Sequence, residues 1–472
     1  MRSIHLADFM AELLRETRHG NFPSDRILRR FVHKRRQLGS RERVLLGDTY
    51  YHLLRHLLRI DEAIRAGFDS VPLVAYTQDS SGFPVGDALG APAWATPADL
   101  KDVPWPRLDR WLDQVRGALA AEELKPGLLE EVIPELVRHW PARVEEISEG
   151  RLRRHLIRSG EIAAQFAAET KPVRFPIKHS LPEWLWAQIG FGLPPRELDE
   201  AMAALNKSGS ACVRVNTLLA TVEDVMKQCA ASNVEVRRGE IASNCLIADK
   251  RIPQGRVPAL DDGKATFQDE GAQLLSEIVA PAPGQTVVDA CAGAGGKTLH
   301  MGALMENRGR LLVYDVSANR FANLFDRAKS AGVTIVERLE ECPRQPAAAD
   351  LVVLDVPCSG TGTIRRSPEL KWRLTREILL ERLSVQRRLL DEWSVHVRPG
   401  GRLAYMTCSL LADENGAQID AFLERCPEFA RVPLDESPAV RRDMLTRLGD
   451  VQLYPHRHGT DGFFLAVLAR SG

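Results

Sequence analysis

Apolar positions in the first sixty residues recur at helical spacing: Phe9, Leu13 and Leu14, then Leu45, Leu46, Tyr50, Leu53, Leu54, Leu57 and Leu58. Residues 78–106 are rich in Gly, Pro, Ser and Ala and read as an irregular connection. A helical pattern returns over 107–170, with Trp111, Leu112, Val115 and Leu119 on one face. Pro182-Glu183-Trp184-Leu185 reads as a helix start. From 196 to 265 short helical and strand-like pieces alternate, with 212–216 and 234–236 as strand candidates. After 270 the rhythm changes. Apolar strands at 286–290, 310–315, 350–355 and 402–406 alternate with helices, the longest predicted over 376–397. The segments 451–454 and 463–469 are spaced like a final hairpin pair.

That alternation predicts an α/β fold, a parallel sheet with helices on both faces, over residues 266–472. Residues 166–265 form a small α+β module before it, and residues 1–165 a helical domain. Three parts agree with the prior of one domain per ~150 residues for a chain of 472 residues.

Lys and Arg number 63 and Asp and Glu 63, so a globally basic, histone-like binder is excluded. Local basic patches are not, and Arg29, Arg30, Lys34, Arg35 and Arg36 form one. No apolar run approaches the ~18 residues of a membrane span. The N-terminus lacks a signal-peptide core. The eight cysteines include no CxxC pair, so neither a disulfide framework nor a metal site is expected. A cytoplasmic monomer is the expectation.

Candidate chemistry begins where the predicted strand 286–290 runs into Cys291-Ala292-Gly293-Ala294-Gly295-Gly296-Lys297-Thr298. Glycines let a backbone approach a ligand, and the following helix start offers free N–H groups. A P-loop would need Gly where Cys291 stands, and a GxGxxG loop would need Gly where Thr298 stands. A loop for a nucleoside without a pyrophosphate remains. Asp315 ends the next strand, where an acid can accept hydrogen bonds from ribose hydroxyls. The expected cofactor is S-adenosylmethionine.

Two further strands end in cysteine loops: Asp355-Val356-Pro357-Cys358-Ser359-Gly360-Thr361-Gly362, and Met406-Thr407-Cys408-Ser409 with Glu414-Asn415 close behind. A free Cys is ordinarily a small buried hydrophobe. Two at strand ends, where open α/β sheets bind ligands, point to chemistry. Carbon 5 of cytosine is too weak a nucleophile to take a methyl group unaided. A thiolate adding to carbon 6 makes carbon 5 enamine-like, and a base must then remove its proton before the thiol leaves. One cysteine supplies the nucleophile and the other serves release, while Asp355 can hydrogen-bond the ring.

DACAGAGGKT, YDVSANR, LDVPCSGTGTIRRSPELKW, YMTCSLLADEN and HGTDGFFLAVL together resemble the Sun-domain (Fmu, NusB-linked) RNA cytosine-5 methyltransferases of the bacterial ribosomal RNA type. SLPEWLW, CVRVNT and FQDEGAQ extend the resemblance back to about residue 180. It implies a Rossmann-like class I methyltransferase domain acting on RNA, ribosomal RNA above all. It implies Cys408 as nucleophile and Cys358 as the residue assisting release. It implies a cofactor loop from Cys291 to Lys297, with Asp315, Arg320 and Asp355 beside the cofactor and Lys297 also in the active site. Residues 1–165 resemble the family's NusB-like RNA-binding domain only in LGSRER and the Leu-rich helix after it. Ala294 departs from the Pro usual in the loop, Gly271 from a frequent Ser. No counterpart stands out among Glu337 to Glu340 for the acid that follows strand 3.

Arg365, Arg366 and Lys371, just after the Cys358 loop, are expected to hold RNA phosphates. Two rival readings are a non-catalytic RNA-binding or ribosome-assembly factor that retains the fold, and a methyltransferase for small molecules. The first leaves the cysteine pair unexplained, the second the basic segments.

Overall fold

The computed structural model describes residues 179–472, short of 251, 254, 318–320, 322 and 344–347, together with parts of the stretch from 9 to 55. The expected connection at 78–106, the helices over 107–170 and Arg320 lie outside the described residues. The chain divides into two compact units, residues 1–187 with 367–373, and residues 188–366 with 374–472.

In the first unit the helix Ser24–Lys34 buries Ile27 and Phe31. The segment 367–373 is tied into the same unit. Glu369 accepts the Ser24 N–H (3.1 Å) and hydroxyl (2.6 Å). Trp372 Nε1 donates to the Leu54 carbonyl at 2.6 Å, and the Arg373 guanidinium to those of Thr17 and Phe22.

The second unit holds two sheets. The smaller runs β1 (Ala211–Val215), α1 (Val222–Ala231), β2 (Arg237–Arg238), β3 (Cys245–Ala248), the helical turn Pro258–Asp261 and β4 (Ala265–Phe267). Its antiparallel order is β2-β3-β1-β4. The strand expected at 234–236 forms instead at Arg237–Arg238, after the turn that ends α1. Strand alternation gives this sheet two faces. Val213, Val215, Leu246 and Ala248 pack with Val222 and Val225 of α1. Cys212, Cys245 and Ile247 point the other way, into the core beneath α2 (Glu270–Val279). Both faces are therefore covered. Asn216 joins the sheets by donating to the carbonyls of Gly263 (3.0 Å) and Ala331 (2.8 Å).

The larger sheet contains β5 (Thr286–Asp289), β6 (Arg310–Val313), β7 (Val336–Arg338), β8 (Ala349–Asp355), β9 (Val397–Thr407), β10 (Phe429–Arg431), β11 (Val451–Leu453) and β12 (Phe463–Arg470). Its order is β10-β12-β9-β8-β5-β6-β7, with β11 paired to β12. β7, β6, β5, β8 and β9 are parallel, and β12 runs against β9. Alternate residues serve opposite faces. Val287, Leu311, Leu351 and Val353 pack with Leu274, Leu275 and Ile278 of α2 and Met301 of α3 (Gly296–Leu304). Val288, Leu312, Val352 and Leu354 pack with Leu389, Leu390 and Trp393 of α4 (Arg376–Ser394) and with Ile419 and Phe422 of α5 (Gly416–Arg425). This is the expected doubly covered α/β sheet, and its central strands deliver their following loops to one edge. Among the described residues no helix is long and apolar enough to cross a membrane.

Candidate active site

β5 ends at Asp289 and the chain turns through Ala290 to Gly295 into α3. Gly293 (φ 54°) and Gly295 (φ 84°) hold left-handed conformations that side chains resist. At Gly296 an added Cβ would meet nothing within 4 Å, and at Gly293 nothing nearer than the Asp315 carboxylate at 3.9 Å, so open space lies beside the loop. Asp315 accepts the Gly293 N–H at 2.8 Å and the Ser317 N–H at 2.7 Å. The strand-end acid and the glycine loop therefore form one cradle. Each Asp315 oxygen keeps a lone pair free for a further donor, such as a ribose hydroxyl. The cradle fits a nucleoside.

The loop is braced from behind. Arg327 donates to the Ala294 carbonyl, holding the position at which the resembled family usually has Pro. From the smaller sheet, Arg214 Nη1 reaches the Gly296 carbonyl (2.7 Å) and Gln268 Oε1 (2.7 Å). Burial draws the Arg214 guanidinium down to about 9, and Arg327 adds to that. Below the loop Thr298 donates to Asp289 at 2.6 Å. Burial pushes the Asp289 carboxyl up to about 6.

Asp355 and Met406 are register partners on the parallel strands β8 and β9, so the two cysteine loops leave the sheet side by side. Cys358 Sγ and Cys408 Sγ stand 3.3 Å apart. Gly360 takes φ 70°, and Gly362 donates to the Cys408 carbonyl at 2.9 Å. A buried polar network sets these loops. Ser359 gives its N–H (2.8 Å) and its hydroxyl to Glu414, which also accepts Gln386 Nε2 at 2.9 Å. Thr407 donates to Asn415 at 2.6 Å, and Asn415 donates to the Ser409 carbonyl at 3.0 Å. The hydrogen bond with Cys408, and then burial, hold the Cys358 thiol well above its ordinary range.

Lys297 Nζ donates to Asp355 Oδ2 at 2.6 Å and lies 5.8 Å from the Phe463 ring centroid. Burial opposes the charge on Lys297. The neighbouring Asp355 outweighs it, with smaller help from Cys408 and Asp289, and the ammonium is held above its ordinary range. The site thus combines two adjacent thiols, a buried ammonium–carboxylate pair and an adjoining nucleoside cradle. That set can add sulfur to an electron-poor ring and place charge beside it.

The structure brings together the Cys291–Lys297 loop, Asp315, Asp355, Cys358 and Cys408. It corrects the expected phosphate-binding face. Arg365 is buried and donates to the carbonyls of Gly459 (2.6 Å) and Thr460 (2.8 Å). Arg366 bridges Asp269 (2.6 Å) and Asp461 (2.7 Å). Lys371 is fully buried, with its Nζ on the Arg55 carbonyl at 2.8 Å. The acceptors inside the fold have taken the place assigned to phosphates. After β7, Glu337 is committed to Arg310 at the first residue of β6 (2.6 and 2.9 Å) and Glu340 pairs with Arg338 (3.1 Å), with Glu341 following past the strand's carboxyl end. Arg214, Arg327 and Gln386 escaped the sequence reading, since nothing local marks a side chain whose partner lies far along the chain. Glu414 was visible only as a neighbour of the second cysteine. Among the described residues no cluster suits a metal ion.

Residues 276–469 match the family described as 16S rRNA methyltransferase RsmB/F, and residues 181–254 match the ferredoxin-like domain of the RsmF/B-like methyltransferases. The chain is 30% identical over 336 residues to the probable ribosomal RNA small subunit methyltransferase B of Synechocystis sp. (strain PCC 6803), covering 70% of this chain and 75% of that protein. It is 30% identical over 329 residues to the probable ribosomal RNA small subunit methyltransferase B of Bacillus subtilis (strain 168), covering 65% and 70%. The crystal structure of PH0851 is similar with a TM-score of 0.70, at 29% identity over 99% of both chains.

Proposed function

The chain belongs to the RsmB/F family of 16S rRNA methyltransferases, S-adenosylmethionine-dependent enzymes, and from that premise we propose that it methylates carbon 5 of a cytosine through a covalent adduct on Cys408. The observation that carries this is the 3.3 Å approach of Cys358 and Cys408 beside the Lys297–Asp355 pair. In this reading S-adenosylmethionine supplies the methyl group. Cys408 adds to carbon 6 of the flipped base as its thiolate. Asp355, oriented by Lys297, hydrogen-bonds the ring. Cys358 serves release. Asp315 and the loop from Cys291 through Ala292, Gly293, Ala294 and Gly295 to Gly296 hold the cofactor, with Arg320 assigned by resemblance. The chain acts as a cytoplasmic monomer, with residues 1–165 as an RNA-binding domain, 166–265 as a linking module and 266–472 as the methyltransferase domain.

The test is adduct formation on ribosomal RNA, read by denaturing gel electrophoresis with labelled RNA. Cys408→Ala should form neither adduct nor product. Cys358→Ala should add, transfer the methyl group and then accumulate bound to methylated RNA. An adduct that persists in Cys408→Ala and vanishes in Cys358→Ala would reverse the assignment. A wild-type chain that binds the RNA without methylating it would favour the non-catalytic assembly factor.

A further inference from the structure

Both thiols lie at the same strand edge, so something must decide which one becomes the nucleophile. We infer that the buried carboxylate of Glu414 makes that choice, holding Cys358 back as the thiol so that the nucleophile is Cys408. The inference rests on the two-cysteine reading above.

Glu414 closes the short turn Ala412–Glu414 after β9 and is fully buried. Its side chain takes the Ser359 N–H (2.8 Å), the Ser359 hydroxyl and Gln386 Nε2 (2.9 Å). All three donors are neutral. A carboxylate ringed by neutral donors in a dry interior projects its charge onto its surroundings, and Cys358 is the residue next to its Ser359 donor. A negative charge at that range disfavours a second one.

The titratable groups around Cys358 agree with this, and only the Gly360 N–H works against it. From the end of β9 comes Cys408 itself. From within β9 comes Tyr405, whose hydroxyl donates to the Glu414 carbonyl at 2.7 Å and which burial keeps neutral. Cys291 of the glycine loop faces Tyr405 in turn. The cation of the site, Lys297, is bound to Asp355 and interacts with Cys408. Negative charge thus bears on Cys358 and positive charge on Cys408. Proximity of the sulfurs alone would leave them equivalent.

Glu414→Gln isolates the charge. The amide oxygen still accepts the Ser359 and Gln386 donors. The amide nitrogen donates to Ser359 Oγ, whose own hydrogen turns to Thr361 Oγ1 or Ser409 Oγ, each at 3.2 Å. Full-length wild type and E414Q, without RNA, are alkylated with iodoacetamide over a pH series, and each cysteine is followed by peptide mass spectrometry. In wild type Cys408 should react at lower pH than Cys358. In E414Q the Cys358 midpoint should fall by about one pH unit or more, with S-adenosylmethionine affinity retained. An unmoved Cys358 midpoint in E414Q overturns the inference. So does a wild type in which Cys358 reacts first, an arm that needs no variant to fold. Since this readout uses no RNA, a shifted Cys358 profile beside an RNA adduct mapped to Cys358 would sink the proposed mechanism and leave the role of Glu414 standing.

Discussion

Gly462 donates its N–H to the Gly362 carbonyl at 2.9 Å, and a Cβ added to Gly362 would stand 2.0 Å from the Gly462 carbonyl oxygen. The loop carrying Cys358 and the loop before β12 therefore cross backbone on backbone, with no side chain at the end that could move aside. Gly362→Ala should cost at least the ~1–3 kcal/mol of ordinary overpacking. It should also lift the Gly362 N–H from the Cys408 carbonyl. Thermal melting would show the first effect, and methyl transfer reduced beyond the fraction unfolded the second. A variant with wild-type melting and activity would mean that the crossing has slack.

Asp315→Ala should weaken S-adenosylmethionine binding by ~1–3 kcal/mol, the range for losing one or two hydrogen bonds to a charged acceptor. Part of that loss comes through the loop, because Asp315 also fixes the Gly293 N–H. Calorimetric titration measures it. Unchanged affinity would place the nucleoside elsewhere.

Arg366→Ala should act on stability and not on RNA. It takes the guanidinium from Asp269 and Asp461, whose side chains are buried, while Asp461 keeps Arg365 at 3.7 Å and Asp269 keeps the Gly271 N–H at 2.9 Å, so a cost of about 3 kcal/mol is expected, the low end for breaking a buried pair. The melting temperature should drop while the salt dependence of RNA binding keeps its slope. A flatter slope at wild-type stability would restore Arg366 to the RNA surface.

Asp289 makes a pH prediction. Burial raises its carboxyl from 3.8 to about 6, so the folded chain holds this proton more tightly than the unfolded chain. The stability gained is complete below about pH 4 and is lost as pH rises through 6. Asp289→Asn removes the titration. The melting temperature of wild type minus that of the variant should fall between pH 4 and pH 7. A difference that stays flat would mean that Asp289 ionises as it does in the unfolded chain.

Strand ends were legible in the sequence because a parallel strand buried on both faces is a short apolar run with an abrupt polar end. Asp289, Asp355 and Thr407 mark such ends, and Asp315 follows two residues after the end of β6 at Val313. β7 and β10, each of three residues at an edge of the sheet, were too short to leave a pattern. Charge read along the chain misled at Arg365, Arg366 and Lys371. The acids that claim Arg366 lie 97 and 95 residues away in sequence, and local composition carries no trace of a partner at that range. The cysteine pair was legible as two motifs. Its asymmetry was not, since that depends on which neighbour of each thiol is buried and charged.

The smaller sheet has no free side, and this bears on how the chain is inherited and how it can be divided. A cut at residue 265 falls between motifs in the sequence, but it crosses no seam in the protein. It would expose Cys212, Cys245 and Ile247 together with the α2 residues they cover, and it would take Arg214 from the Gly296 carbonyl. A transplanted module would have to arrive with a matching underside and an arginine at that register. The two parts are therefore expected to be exchanged between genes as one cassette, and the shortest useful expression fragment starts ahead of β1.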